Sequence, residues 1–145
     1  MLRFYCLTIL FVFHFSNVYA SEKGAVLGIF EKYTAALKSQ EREQLFPYLN
    51  GASLTMMKAR PYSGGMMAKE AQTIAQCGKA YIKIKKKRAV IYFSPDRKMC
   101  NPYFVQFQQG HWRIDLYTMS KAIRFDHSNN WHINRTAKHP YIFAL

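Results

Sequence analysis

Acidic side chains are scarce in this chain: eight aspartates and glutamates stand against 21 lysines and arginines, a formal net charge of +13. Such a balance points towards anionic partners. Cysteine is scarce as well, with three residues in 145 and no C-x-x-C arrangement. That spacing pattern is the usual mark of a zinc site, so a structural metal is not expected. Long apolar runs are almost absent. The one that stands out, Phe4 to Phe15, falls short of the roughly 20 residues that cross a bilayer. Nucleophile elbows, phosphate-cradling glycine loops and dinucleotide fingerprints are also missing, which removes the enzyme classes built on them. Repeats, low-complexity tracts and interdomain linkers are lacking too, and the length suits one domain.

What is present begins with a signal-like N-terminus. Arg3 precedes the apolar run, and a short polar stretch ends in Val18-Tyr19-Ala20, a small-x-small cleavage site. Residues 1–20 are expected to be a cleaved signal peptide and 21–145 a single α+β domain. The destination is periplasmic or secreted, and the product is not an integral membrane protein. Cys6 lies in the apolar run without a lipoprotein box around it. Removal of Arg3 lowers the formal charge from +13 to +12. Cys77 and Cys100 remain, and in an oxidising compartment they are expected to form one disulfide.

The mature chain reads as helices first and strands after. Val26, Ile29, Phe30, Tyr33 and Leu37 form one apolar helical stripe. Ser39 reads as the cap of a second helix that buries Leu45, Phe46 and Leu49 and stops at Asn50-Gly51. A short third helix with Leu54 and Met57 inward should end at Arg60-Pro61. Ser63-Gly64-Gly65 reads as a flexible connector to a fourth helix with Met67, Ala71 and Ile74 on its stripe. Of Met56, Met57, Met66 and Met67, core packing is the expected role, ahead of a soft metal site.

At Lys79 the period changes to two. Ile82 and Ile84, then Ala89, Ile91 and Phe93, then Tyr103, Val105 and Phe107 mark three strands. Trp112, Ile114 and Leu116 mark a fourth, with Arg113, Asp115 and Tyr117 on its other face. Ile123 and Phe125 begin a fifth, joined through 127–130 to Trp131 and Ile133. Short turns between neighbouring strands make an antiparallel meander. The apolar tail from Tyr141 to Leu145 is expected to dock on the sheet or on a partner.

The helix pair from Val26 to Leu49 and the segment Gly110-His111-Trp112-Arg113-Ile114-Asp115-Leu116 resemble the nuclear transport factor 2-like superfamily, above all its small exported members. The resemblance covers most of the mature chain. It implies N-terminal helices packed on a curved antiparallel sheet, a cone with a pocket inside. Its members include isomerases, dehydratases, transport adaptors and secretion-system domains, so fold alone does not give an activity. The chain lacks the usual short strand between the early helices, and none of the family's catalytic motifs aligns. No family site residues are carried over.

Two groups of side chains carry candidate chemistry. Asp115 lies between apolar neighbours, where a pocket would raise its pKa and make it a general base, with His111, Tyr117 and Tyr92 as possible partners. The competing expectation is an Asp115 paired with lysine or arginine. Lys83, Lys85, Lys86, Lys87 and Arg88 place five positive charges within six residues, which Lys79, Arg97 and Lys98 would join if the hairpins lie side by side. Such a patch holds an anionic polymer or lipid head groups. A solvated hairpin tip guarding the sheet edge is the plainer account. His127, His132 and His139, with Asp126 nearby, match no zinc spacing. Asn134-Arg135-Thr136 is a glycosylation sequon in a eukaryotic setting.

These readings favour an exported, non-catalytic binding or accessory domain without a cofactor. It would hold a small apolar ligand in its interior or an anionic envelope component on its hairpin. The alternatives are an isomerase- or dehydratase-type enzyme using Asp115, and a structural subunit docking through the apolar tail or with a second copy of the chain. Nucleic acid is disfavoured as the partner of an exported protein.

Overall fold

The computed structural model describes residues 6–145, with side chains described from Ser21 onward. The signal-peptide reading of residues 1–20 falls outside those described side chains. Among the described residues no helix is long and apolar enough to cross a membrane.

Helix α1 (Cys6–Ser39) carries the predicted stripe: Val26, Phe30, Tyr33 and Leu37 are all buried. The segment after it differs from expectation. Ser39 does not cap a new α-helix; its hydroxyl donates to the Ala36 carbonyl at 2.7 Å. Residues Arg42–Tyr48 form a 3-10 helix instead, with Pro47 inside it. Proline has no N–H for an α-helical bond and its ring crowds the preceding turn. Leu45 and Leu49 are buried as expected.

Asn50 starts a helix where a stop was expected. Its side chain accepts from Ser53 N at 2.9 Å and caps α2 (Gly51–Ala59). Its amide donates to Gln106 Oε1, and its backbone N–H to the Ile114 carbonyl, so the cap is fixed to the sheet. Ser63 likewise caps α3 (Gly64–Gln76) through Met66 N, so the expected connector is already the start of a helix. Met57 and Met67 are buried in the core, while Met66 is exposed.

A four-stranded antiparallel sheet follows in the order β1-β2-β3-β4, with β1 Tyr81–Lys85, β2 Arg88–Tyr92, β3 Tyr103–Gln108 and β4 His111–Ile114. The fold is therefore α+β, helices first and an antiparallel meander after. Gln109 and Gly110 both have positive φ, the geometry of a tight turn whose twist suits a hairpin. The expected fourth strand is shorter than its pattern. It ends at Ile114, and Asp115 caps α4 (Leu116–Ala122). Strands β5 (Ile123–Phe125) and β6 (Trp131–Ile133) pair as a separate two-stranded sheet.

Register assigns the two faces of the larger sheet. Ile82, Ile84, Ala89, Ile91, Tyr103, Val105 and Ile114 share one face, and Tyr103 meets Phe30 and Tyr33 of α1 there. The opposite face carries Lys83, Lys85, Arg88, Val90 and Phe104. Its centre is covered by the C-terminal segment: the ring of Tyr141 stacks on Phe104 with centroids 4.4 Å apart. The apolar tail thus docks on its own sheet. Tyr141 is fully buried, whereas Ile142 and Leu145 stay exposed.

Cys77, at the end of α3, and Cys100, in the loop before β3, form the expected disulfide, with Cα atoms 5.6 Å apart. It ties the end of α3 to the loop before β3 across a separation of 23 residues.

Candidate functional sites

The β1–β2 hairpin positions its cations through alternation and a strained turn. Lys83 and Lys85 point to one side of β1, while Ile82 and Ile84 on the other side pack against the core. Lys86 lies in the turn with φ of 55°, left-handed backbone that a lysine adopts at a cost and glycine adopts freely. Lys83, Lys85, Lys86 and Lys87 are all exposed. Arg88 departs from the group. It begins β2, is half-buried, and its Nε is enclosed without a hydrogen-bond partner in the protein. Arg97 and Lys98 do not join the hairpin but line an open cleft of about 380 Å³ with Thr73, Gln76 and Asn130. Lys79 does join it: its ammonium sits 5.5 Å from the Tyr81 ring centre. Among the described residues the one ion pair is Arg42–Glu43, at the surface and remote in sequence from this hairpin.

Asp115 is buried, but neither of its expected surroundings is present. Its Oδ1 accepts from Thr118 N at 3.0 Å, and its Oδ2 accepts from Thr118 Oγ1 at 2.8 Å and from Tyr141 Oη at 2.9 Å. It has no ion pair, and neither His111, Tyr117 nor Tyr92 hydrogen-bonds to it among the described residues. His111 is exposed at the start of β4. Tyr117 is occupied by the ammonium of Lys121, which lies 3.9 Å from its ring centre. Tyr92 stacks with Tyr81 at the far edge of the sheet. Both carboxylate oxygens thus hold structure, capping α4 and anchoring the tail. Burial, then the Asp115 charge, pushes the Tyr141 hydroxyl well above its ordinary pKa.

The histidines do not converge. Asp126 turns the β5–β6 connection by accepting from Ser128 N at 2.8 Å and Asn130 N at 2.9 Å, and the Asn130 N–H holds its carboxyl below the usual range. His139 stacks on Phe104 instead, where burial lowers its pKa. Among the described residues no group of three or more His, Cys, Asp or Glu side chains is placed to hold a metal ion.

A second structural carboxylate, half-buried, is absent from the candidates above. Glu70 of α3 accepts from Tyr33 Oη at 2.9 Å and Tyr103 Oη at 2.8 Å through Oε1, and from Tyr62 Oη through Oε2. Its donors come from α1, β3 and the segment between α2 and α3, so one side chain joins the helical layer to the sheet. Burial first, then the Glu70 charge, raises the pKa of all three tyrosines, keeping them protonated as donors. The signal was legible: Glu70 lies on the stripe of Met67, Ala71 and Ile74, where an acid needs partners. The arrangement is a closed hydrogen-bonded junction, with no nucleophile–base pair in it.

None of the protein-family models, curated proteins or solved structures compared with the chain matches it.

Proposed function

We propose that this chain is an exported, non-catalytic binding domain that holds an anionic envelope component on its β1–β2 hairpin. One observation carries the reading: Lys83, Lys85, Lys86 and Lys87 are exposed together at the edge of the sheet, in a chain with 21 basic and eight acidic residues. Two of those acids, half-buried Glu70 and buried Asp115, are engaged by tyrosine and threonine donors. They are therefore spent on structure, and the surface balance is more positive than the composition alone suggests. A disulfide between Cys77 and Cys100 suits export into an oxidising compartment.

The resemblance to the nuclear transport factor 2-like superfamily belongs to the same proposal, supported by helices packed on one face of an antiparallel meander. It also suggests an interior pocket for an apolar ligand. The favoured site is nonetheless the surface, because Phe30, Tyr33, Ile91 and Tyr103 fill the interface between α1 and the sheet.

Retention on immobilised heparin and on phosphatidylglycerol vesicles at low ionic strength tests the proposal. The triple substitution Lys85→Ala, Lys86→Ala and Lys87→Ala is expected to shift elution to lower salt. Failure of the unmodified protein to bind either matrix at low salt would end this reading.

A further inference from the structure

The lysines of the first hairpin are not equivalent. Those on the strand are held by aromatic rings, and those in the turn are not. The Lys79 ammonium lies 5.5 Å from the Tyr81 ring centre, Lys83 lies 5.4 Å from Tyr92, and Lys85 lies 6.0 Å from Phe143 of the docked tail. Register puts Tyr81, Lys83 and Lys85 on one face of β1, with Tyr92 directly opposite Tyr81. Tyr81 and Tyr92 stack with centroids 5.6 Å apart and ring planes 26° apart. β1 is the outermost strand of its sheet, so these groups form a row along an edge.

Two consequences follow from that geometry. A lysine held over a ring has lost part of its rotamer freedom before any partner arrives, so less is lost on binding. Tyr81 and Tyr92 face each other, with the Lys79 and Lys83 ammonium groups over them, although Tyr81 keeps 44% of its surface exposed. A nucleic-acid base would have to displace these contacts to stack there. What the edge offers is a line of positioned cations. At about 3.3 Å per residue along the strand, Lys83 and Lys85 are about 7 Å apart, and the row from Lys79, two residues before β1, to Lys85 is at most about 20 Å long.

We infer that this row is the binding line for one extended anionic polysaccharide, whose sulfate or carboxylate groups fall in step with Lys79, Lys83 and Lys85. The inference rests on the anionic-partner reading above and narrows it from the hairpin as a whole to the ring-held lysines on and just before β1. A linear chain fits a single-file row, whereas a membrane surface would draw equally on the turn lysines Lys86 and Lys87.

Fluorescence anisotropy of the full chain with labelled heparin oligosaccharides of graded length tests it. Affinity is expected to rise with length and level off once the oligosaccharide spans about 20 Å. Replacing Lys79, Lys83 and Lys85 together by Gln is expected to weaken binding roughly tenfold or more, and replacing Lys86 and Lys87 by Gln to weaken it less. Tyr92→Leu keeps every charge but frees Lys83, and is expected to weaken binding about twofold to threefold. Four results overturn the inference while leaving the broader reading in place. These are equal losses from strand and turn variants, affinity that ignores length, equal affinity for oligothymidylate, and binding confined to phosphatidylglycerol vesicles. Absence of binding to every polyanion and vesicle at low salt overturns both.

Discussion

Replacing Glu70 by Ala is the sharpest perturbation of the interior. The change removes the shared acceptor of three tyrosine hydroxyls. Tyr33 and Tyr103 are 0% and 3% exposed, so their hydroxyls have no water to turn to. A buried donor left unpaired costs about 1–3 kcal/mol, and Tyr62, which is half-buried, regains water more cheaply. Two stranded donors and the lost link between α3 and β3, less the relief of desolvating the carboxylate, give about 3 kcal/mol of lost stability. That is a large share of the 5–15 kcal/mol or so that typical domains possess. Glu70→Gln keeps an acceptor oxygen for Tyr33 and Tyr103 but faces Tyr62 with an amide, and about 1 kcal/mol is expected. Urea unfolding monitored by circular dichroism measures both, with an unchanged m-value marking a true loss of stability. A loss below about 1 kcal/mol for Glu70→Ala would show that the three tyrosines do not depend on this carboxylate.

Three further outcomes are expected. Cys77→Ala with Cys100→Ala removes a crosslink over 23 residues and should cost about 3 kcal/mol in the chain-entropy account, read as a lower urea midpoint; an unchanged midpoint would count against it. Tyr33, Tyr62, Tyr103 and Tyr141 all have raised pKa values. Above the ordinary tyrosine pKa of about 10 the unfolded chain therefore holds fewer protons than the native one, and stability falls as pH rises. In an alkaline absorbance titration these four should ionise only with unfolding; early ionisation of all ten tyrosines would contradict their burial. Lys86→Gly relieves left-handed backbone at the hairpin turn and should stabilise the fold by about 0.5–1 kcal/mol, a gain that a destabilised variant would refute.

β1 was legible because a period of two survives where one face is buried, while β2 and β3, buried on both faces at Ala89–Ile91 and Tyr103–Val105, were legible as short apolar, β-branched and aromatic runs between turns. The disulfide was legible by counting. Boundaries failed where one side chain outweighed the pattern. Alternation through Trp112, Ile114 and Leu116 continues on paper past the strand, yet Asp115 turns the chain into α4 because its carboxylate satisfies Thr118 N. Asn50-Gly51 reads equally well as the end of one helix or the start of the next, and the bond to Ser53 N decides it.

The candidate site was legible only in composition. The sequence shows five cations within six residues, but which of them face a ring depends on register across β1 and β2 and on the return of Phe143 from the tail. Arg88 reads like its neighbours in local sequence, which carries no sign that it is half-buried with its Nε enclosed. Glu70 shows in sequence only as an acid on an apolar stripe; its partners Tyr33, Tyr62 and Tyr103 are brought together by the fold.

The most direct test of anionic recognition is the affinity of the intact protein for heparin measured across a range of salt concentrations. Log affinity is predicted to fall linearly with log salt, with a slope of about −3, and to flatten towards zero when the hairpin lysines are replaced by Gln. An affinity that ignores salt, or a slope those substitutions leave unchanged, would contradict the assignment of this hairpin as the binding surface.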